Sequence, residues 1–152
     1  MPGFMIIAHA PLATALRLAA QHAFPEQAAR VQALDVPPNM PVEETEAQAR
    51  LMLARAQALS PRGEVLIFAD VFGATPSNVA QRMADGVHIK VITGANVPML
   101  WRVLNYAHEP LEALVARALA GATQGVMQIA SVRPLNQAAH RVHDQDHHQH
   151  QQ

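Results

Sequence analysis

Two short, wholly apolar runs constrain the fold of this chain more than any other feature of its sequence. Residues 4–8 and 65–69 contain only apolar side chains, and each run ends at a polar residue, followed within a few positions by a segment with helical spacing. Such runs are typical of strands that are buried on both faces. Strands that alternate with helices predict a parallel sheet covered by helices on both sides, an α/β fold.

Weaker patterns complete the alternating order of strands and helices. Further strands are predicted at 29–36, 87–93 and 126–132, and helices at 12–23, 41–59, 96–106 and from 110 to the glycines at 121 and 125. Within 41–59 we predict a buried stripe formed by Ala47, Leu51, Ala54 and Ala58. Another helix is predicted to begin at Thr75-Pro76, with Thr75 as its N-cap.

The chain is predicted to be one domain followed by a tail. Half of its 152 residues are apolar, which is enough for a sizeable core. From Pro134 onward the apolar pattern stops and His, Gln and Asp dominate, so the domain spans 1–133 and the tail 134–152. We predict a disordered tail, although a His-rich segment can also bind divalent metal. No other metal site is predicted.

Composition and missing motifs exclude several classes of function. The net charge of −1 does not favour nucleic acid or an anionic membrane, and no apolar stretch is long enough to span a bilayer. Cysteine is absent, which excludes disulfides and thiolate chemistry. The chain has neither a P-loop nor a G-x-G-x-x-G segment, so no nucleotide cofactor is predicted. A cytoplasmic protein is the expected result.

Two polar residues directly follow the two most apolar runs. His9 follows the first run and Asp70 follows 65–69. Ligands of open α/β sheets bind at the carboxyl ends of the strands, so adjacent central strands would bring these side chains together. A carboxylate that accepts a hydrogen bond from Nδ1 of an imidazole fixes its tautomer and leaves the Nε2 lone pair as a nucleophile. The pair therefore predicts a nucleophilic histidine oriented by an aspartate.

The loop after Asp70 could hold a phosphoryl group. Gly73, Ala74 and Thr75 lead into the start of a helix, where backbone N–H groups, a hydroxyl and the positive end of the helix dipole coincide. Phosphoryl transfer needs such donors around the equatorial oxygens. Without a nucleotide-binding motif, the predicted donor is another phosphoprotein rather than ATP.

These segments resemble the enzyme IIA domain of the mannose family of the bacterial phosphotransferase system. The resemblance rests on IIAH at 6–9, FADVFGATPSN at 68–78 and TGANVPML at 93–100, and it extends over about residues 4–131. It implies that His9 is phosphorylated at Nε2, that Asp70 orients it, and that Thr75 supplies a hydroxyl beside the phosphate.

The resemblance also implies an architecture and a set of partners. The expected fold is an open three-layer sandwich with a four-stranded, mostly parallel sheet and an antiparallel fifth strand. That strand, at about 126–132, would be exchanged between the subunits of a homodimer. Phosphate would arrive from the histidine phosphocarrier protein and leave to a separate IIB protein.

Some features depart from the family pattern, and other functions remain open. Family members often have Thr-His-Gly and Gly-Gly-Ser-Pro where this chain has Ala8-His9-Ala10 and GATP at 73–76. These small replacements keep the backbone donors, so phosphorylation is still expected. The role could be sugar uptake or regulation. Alternatives are a phosphoryl-transfer subunit of a dihydroxyacetone kinase system and a non-catalytic, metal-responsive interaction module.

Overall fold

The computed structural model of the protein describes residues 1–131. The strands are β1 (Gly3–His9), β2 (Val31–Val36), β3 (Val65–Ala69) and β4 (Ile89–Ile92). The helices are α1 (Leu12–Gln21), α2 (Pro25–Ala28), α3 (Val42–Ala58), α4 (Thr75–Met83), α5 (Val97–Asn105) and α6 (Leu111–Gln124). Helices therefore alternate with strands along the chain, which confirms the predicted α/β class.

All four strands are parallel and lie in the order β2-β1-β3-β4. Helices α1, α5 and α6 cover one face of the sheet and α3 and α4 cover the other, which gives three layers. The two most apolar runs form the central pair, β1 and β3, as predicted. Because these strands are adjacent and parallel, their carboxyl ends lie at the same edge of the sheet.

The central strands carry the core. Every residue of β3 is buried, and β1 is buried from Gly3 to Ala8, with only His9 exposed at its end. Alternate residues contribute to the two layers, so Phe4 and Phe68 pack toward α1, α5 and α6. Burying each of these large side chains contributes about 1.5–3 kcal/mol, which stabilises the strands that position the predicted site.

The predicted buried stripe of α3 was wrong. The helix buries Thr45, Ala49, Leu53 and Ala56. All four residues of the predicted stripe are exposed, and Leu51 is 64% exposed. In an alanine-rich helix, two faces offer nearly the same apolar pattern, so the periodicity does not decide between them. The small Ala49 and Ala56 allow the helix to approach the sheet closely.

One helix was missed, and several element bounds also differ from the predictions, including β4, which spans 89–92 rather than 87–93. The short helix α2 was not predicted, and β2 begins at Val31 rather than at 29. Helix α6 continues through Gly121 to Gln124. A Cβ at Gly121 would lie 2.6 Å from Cβ of Arg102, so this glycine permits close packing of α6 on α5 rather than ending the helix.

The predicted fifth strand is not formed within this single chain. Residues 126–131 have no strand structure and are exposed, including Val126, Met127 and Ile129. A strand that pairs only with a second subunit has no partner in one chain, so strand exchange stays a prediction. The tail at 134–152 lies outside the described residues. No helix within residues 1–131 combines the length and apolarity that a bilayer span requires.

Gly3 offers a test of how closely β1 and α3 approach. A Cβ at this position would lie 2.2 Å from the carbonyl oxygen of Ala56, a backbone atom that cannot rotate away. We expect Gly3→Ala to lower the free energy of unfolding by about 3 kcal/mol or more, measured by urea denaturation. Gly63→Ala is the control, because a Cβ there meets no atom within 4 Å and only the positive φ of 67° is unfavourable. A smaller loss for Gly3→Ala than for Gly63→Ala would contradict this packing.

Candidate functional site

The structure brings the side chains of His9 and Asp70 together at the carboxyl edge of the sheet. Nδ1 of His9 lies 2.6 Å from Oδ2 of Asp70. The same oxygen accepts a hydrogen bond from the backbone N–H of His9 at 2.9 Å. Two contacts to one carboxylate oxygen fix both the position and the ring orientation of the histidine. The His9 side chain is nevertheless 54% exposed, so other molecules can reach the ring.

The carboxyl group of Asp70 is held in its ionised form. Partial burial raises its pKa, but hydrogen bonds from the N–H and ring of His9 and from the N–H of Val71 outweigh that effect, and the net pKa is lowered. Only 11% of the Asp70 side chain is exposed. An ionised carboxylate can only accept hydrogen bonds, so Nδ1 of His9 must carry the proton. In the neutral imidazole the nitrogen without a proton is therefore Nε2.

Asp70 also connects the loops that follow three strands. Its side chain contacts His9 after β1, and its carbonyl oxygen accepts a hydrogen bond from the N–H of Gly94 at 3.0 Å. The N–H of Ala95 donates to the carbonyl of Ala69 at 3.1 Å. The loop between β4 and α5 is therefore attached to the end of β3, beside the His9–Asp70 pair.

Helix α4 begins at this edge one residue earlier than predicted. Ala74, not Thr75, is the N-cap, since its carbonyl accepts the first helical hydrogen bond, from Asn78. Thr75 and Pro76 are the first two helical residues. Because proline lacks an N–H, it is accommodated at the first or the second helical residue. The Thr-Pro pair therefore predicts the start of the helix only to within one residue.

The predicted phosphate loop has an internal support that the sequence analysis missed. Ser77 is buried, and its hydroxyl accepts a hydrogen bond from the N–H of Gly73 at 3.1 Å and donates to the carbonyl of Ala74 at 3.0 Å. The N–H of Gly73 is therefore already bonded and is not free for a phosphoryl oxygen. The glycine instead permits the positive φ of 85° at this point of the loop. Within residues 1–131 the N–H groups of Ala74 and Thr75 have no acceptor, and they remain available.

A second support lies on the other side of His9. The carboxylate of Asp35, near the end of β2, accepts hydrogen bonds from the backbone N–H and the hydroxyl of Thr14 in the first turn of α1. The N–H of Ala10 donates to the carbonyl of Val36 at 3.0 Å. These contacts cap α1 and fix the turn after His9. Asp35 and Thr14 belong to different elements, so no local pattern in the sequence indicates their contact.

Comparisons with known proteins agree with this fold and topology. A family model described as the phosphotransferase system fructose IIA component matches residues 3–119. Among solved structures, the mannose/sorbose-specific IIA subunit of the phosphotransferase system from Enterococcus faecalis superposes with a TM-score of 0.74 at 23% identity, over 86% of this chain and 96% of that chain.

Two streptococcal structures are also similar. The IIA protein associated with the fucose utilization operon from Streptococcus pneumoniae has a TM-score of 0.73 at 20% identity, over 84% of this chain and 92% of that chain. The phosphotransferase system component EIIA from Streptococcus agalactiae has a TM-score of 0.71 at 20% identity, over 84% and 97% of the two chains. No curated protein sequence matches. The family model covers most of the chain, and the protein therefore belongs to the fructose/mannose-type enzyme IIA family of the phosphotransferase system.

Proposed function

We propose that this protein carries a phosphoryl group on Nε2 of His9 and transfers it between two other proteins of a phosphotransferase system. The observation that carries the proposal is the 2.6 Å contact between Nδ1 of His9 and the ionised carboxylate of Asp70. It leaves Nε2 as the unprotonated nitrogen of a half-exposed ring, which is what a nucleophilic histidine requires.

The transfer needs no net proton movement at His9. The Nε2 lone pair attacks phosphorus in line with the bond to the donor nitrogen, that bond breaks, and the proton on Nδ1 stays in place. Positive charge develops on the ring as the new N–P bond forms, and the carboxylate of Asp70 stabilises it through a charge-assisted hydrogen bond. The reverse sequence of steps delivers the group to an acceptor.

The start of α4 supplies donors for the phosphoryl oxygens. The N–H groups of Ala74 and Thr75 have no acceptor within residues 1–131, and they lie at the positive end of a nine-residue helix. The Thr75 hydroxyl adds a further donor in this proposal. Ser77 holds the loop in place beneath them through its bonds to Gly73 and Ala74.

The partners follow from family membership. We assign the histidine phosphocarrier protein as donor and a separate IIB protein as acceptor, which makes the protein a phosphotransferase with a phosphohistidine intermediate. A cytoplasmic location fits partners of this kind. Sugar uptake and regulation through the phosphorylation state both fit the same chemistry.

Incubation with labelled phosphoenolpyruvate, enzyme I and the phosphocarrier tests the proposal. The expected product contains about one acid-labile phosphate per chain, and peptide mapping places it on His9. Label on another residue, or no label above a reaction without phosphocarrier, would contradict the proposed function.

A homodimer with exchanged strands is the assembly we propose for solution. Strand β4 is an edge strand, and the exposed apolar residues of 126–131 could pair with the β4 edge of a second copy. We expect sedimentation at twice the 16.5 kDa chain mass. Ile129, which is 88% exposed in the single chain, would become buried, so Ile129→Asp is expected to give a monomer, whereas Leu18→Asp on α1 should not. A monomeric wild type at high micromolar concentration would contradict the exchange.

A further inference from the structure

Two helices begin close to His9. Helix α1 begins at Leu12, three residues after His9, and α4 begins at Thr75, in the loop that follows Asp70. Because each helix follows a parallel strand, both begin at the carboxyl edge of the sheet. Each start carries backbone N–H groups and the positive end of a helix dipole. A phosphoryl group on His9 therefore has two helix starts nearby, and the proposed function uses only that of α4.

The number of free N–H groups does not distinguish the two helix starts. In α1 the N–H groups of Leu12 and Ala13 have no acceptor within residues 1–131. Within the same range, those of Ala74 and Thr75 at α4 have none either. The first turn of each helix lacks Asp and Glu, and neither N-cap residue has a polar side chain. Hydrogen-bond donors alone would thus let a phosphoryl group bind at either helix.

A carboxylate from another strand contacts the start of α1. Asp35 pairs with Ala8 across the sheet, and it belongs to the face of β2 that α1 covers. Its Oδ1 accepts the N–H of Thr14 at 3.1 Å, and its Oδ2 accepts the Thr14 hydroxyl. The negative charge of Asp35 thus offsets the positive end of this helix. At α4 the loop is held instead by the uncharged hydroxyl of Ser77.

The side chains of His9 and Asp35 belong to opposite faces of the sheet. Along β1, Ala8 packs in the layer of α1, so alternation places His9 with Met5 and Ile7 on the side of α3 and α4. The ring is thus on the side of the helix start that has no carboxylate. The charge of Asp35 lies on the other side, where it makes the start of α1 unfavourable for a phosphoryl dianion.

We propose that Asp35 is a positioning residue for phosphoryl transfer, whose charge at the start of α1 confines the phosphoryl group on His9 to the N–H groups of α4. The inference rests on the proposed phosphoryl-carrier function. Repulsion between charges acts across several ångströms, so Asp35 needs no direct contact with the phosphate. A phosphoryl group drawn toward α1 would lie out of line with the incoming partner, and small displacements of a reacting group slow transfer strongly.

The test compares the backbone N–H resonances of ¹⁵N-labelled protein before and after phosphorylation by the phosphocarrier protein. An N–H that donates to a phosphoryl oxygen moves downfield. In wild type we expect this shift at Thr75 and not at Ala13. Asp35→Asn keeps the size of the side chain and an oxygen that accepts the N–H of Thr14, but it has no charge. We therefore expect this variant to show a downfield shift at Ala13 as well.

Transfer rates give a second readout. We expect Asp35→Asn to slow single-turnover transfer from the phosphorylated carrier to His9 about tenfold or more per folded chain. Asp35→Glu retains the charge and should restore the wild-type shifts and most of the rate. Thr14→Val is the matched control, because it removes the hydroxyl bond to Asp35 but keeps the charge and the backbone bond. It should lower stability in urea and leave the shifts on phosphorylation unchanged.

The outcomes separate this inference from the function on which it rests. A wild type in which the N–H of Ala13 shifts as much as that of Thr75 would overturn the inference while leaving His9 phosphorylation intact, and this result needs no variant. Wild-type shifts and rate in a folded Asp35→Asn would do the same. So would a shift at Ala13 in Thr14→Val, because that variant retains the charge. A wild type that the carrier cannot label refutes the proposed function and this inference together.

Discussion

Replacing His9 with alanine is expected to abolish phosphorylation by the carrier, with a loss of at least about 10³-fold relative to wild type. The variant removes the one imidazole that Asp70 contacts within residues 1–131. A neighbouring residue cannot take its place, because 9–16 and 71–81 contain no other histidine. His9 is exposed at the end of its strand, so its truncation leaves the buried part of β1 unchanged. The measurement is acid-labile label per folded chain, with folding checked by thermal unfolding.

His88 provides an unusually close control for this variant. Its side chain is also 54% exposed and has an aspartate partner, Asp85, but the distance from Nδ1 to Oδ2 is 3.8 Å, beyond a hydrogen bond. The other oxygen of Asp85 accepts N–H groups from Val87, His88 and Ile89. The pair precedes β4 and so lies at the amino edge of the sheet.

His88→Ala should therefore label like wild type. Equal losses for the two histidine variants would show that labelling depends on exposed imidazoles in general, and not on the geometry at Asp70. A normal level of label on His9→Ala would remove His9 from the proposed mechanism.

The sequence predicts those parts of the molecule in which a local pattern is compatible with only one type of structure. The runs at 4–8 and 65–69 can be buried only as central strands, and that alone brings His9 and Asp70 to adjacent positions. Asn96 caps α5, as its position before Val97-Pro98 indicates, by accepting from the N–H of Met99.

The predictions failed where local patterns were degenerate or where contacts joined distant segments. The alanine-rich α3 offered two equivalent faces, and the choice between them depends on how the helix packs on the sheet. Gly121 resembled a helix end, although it is required for the approach of α5. The bonds of Ser77 and of Asp35 link loops and helix starts that are known only once the backbone is placed.

Asp70→Asn is expected to slow the transfer of phosphate to His9 by about 10³-fold or more while leaving the fold intact. The amide has the size of the carboxylate and can still accept a hydrogen bond through its oxygen, but it carries no charge. The developing imidazolium would therefore lose its stabilising partner, and the amide nitrogen could bond Nδ1 in the wrong tautomer. Single-turnover transfer from the phosphorylated carrier measures this rate.

The pH dependence of the free energy of unfolding gives an independent test of the ionised state of Asp70. The folded-state pKa of Asp70 is lowered relative to its ordinary value, so its ionised form stabilises the fold at pH above the unfolded pKa of about 4. That contribution is lost as the pH falls through the folded pKa. The difference in free energy of unfolding between wild type and Asp70→Asn should accordingly be full near neutral pH and shrink in acid.

Asp85→Asn distinguishes the loss of stability caused by removing a carboxylate from the loss of transfer rate. The pKa of Asp85 is also lowered, mainly by backbone N–H groups of Ile89 and Val87, so this variant should lose stability with the same sign of pH dependence. It lies at the amino edge of the sheet and does not contact His9, and its transfer rate should equal that of wild type. If Asp85→Asn slowed transfer as much as Asp70→Asn, the rate would be reporting general destabilisation. A slow Asp70→Asn beside a normal Asp85→Asn assigns the rate to the carboxylate that holds Nδ1, because within residues 1–131 this is the carboxylate that contacts the ring on which we propose the phosphoryl group is carried.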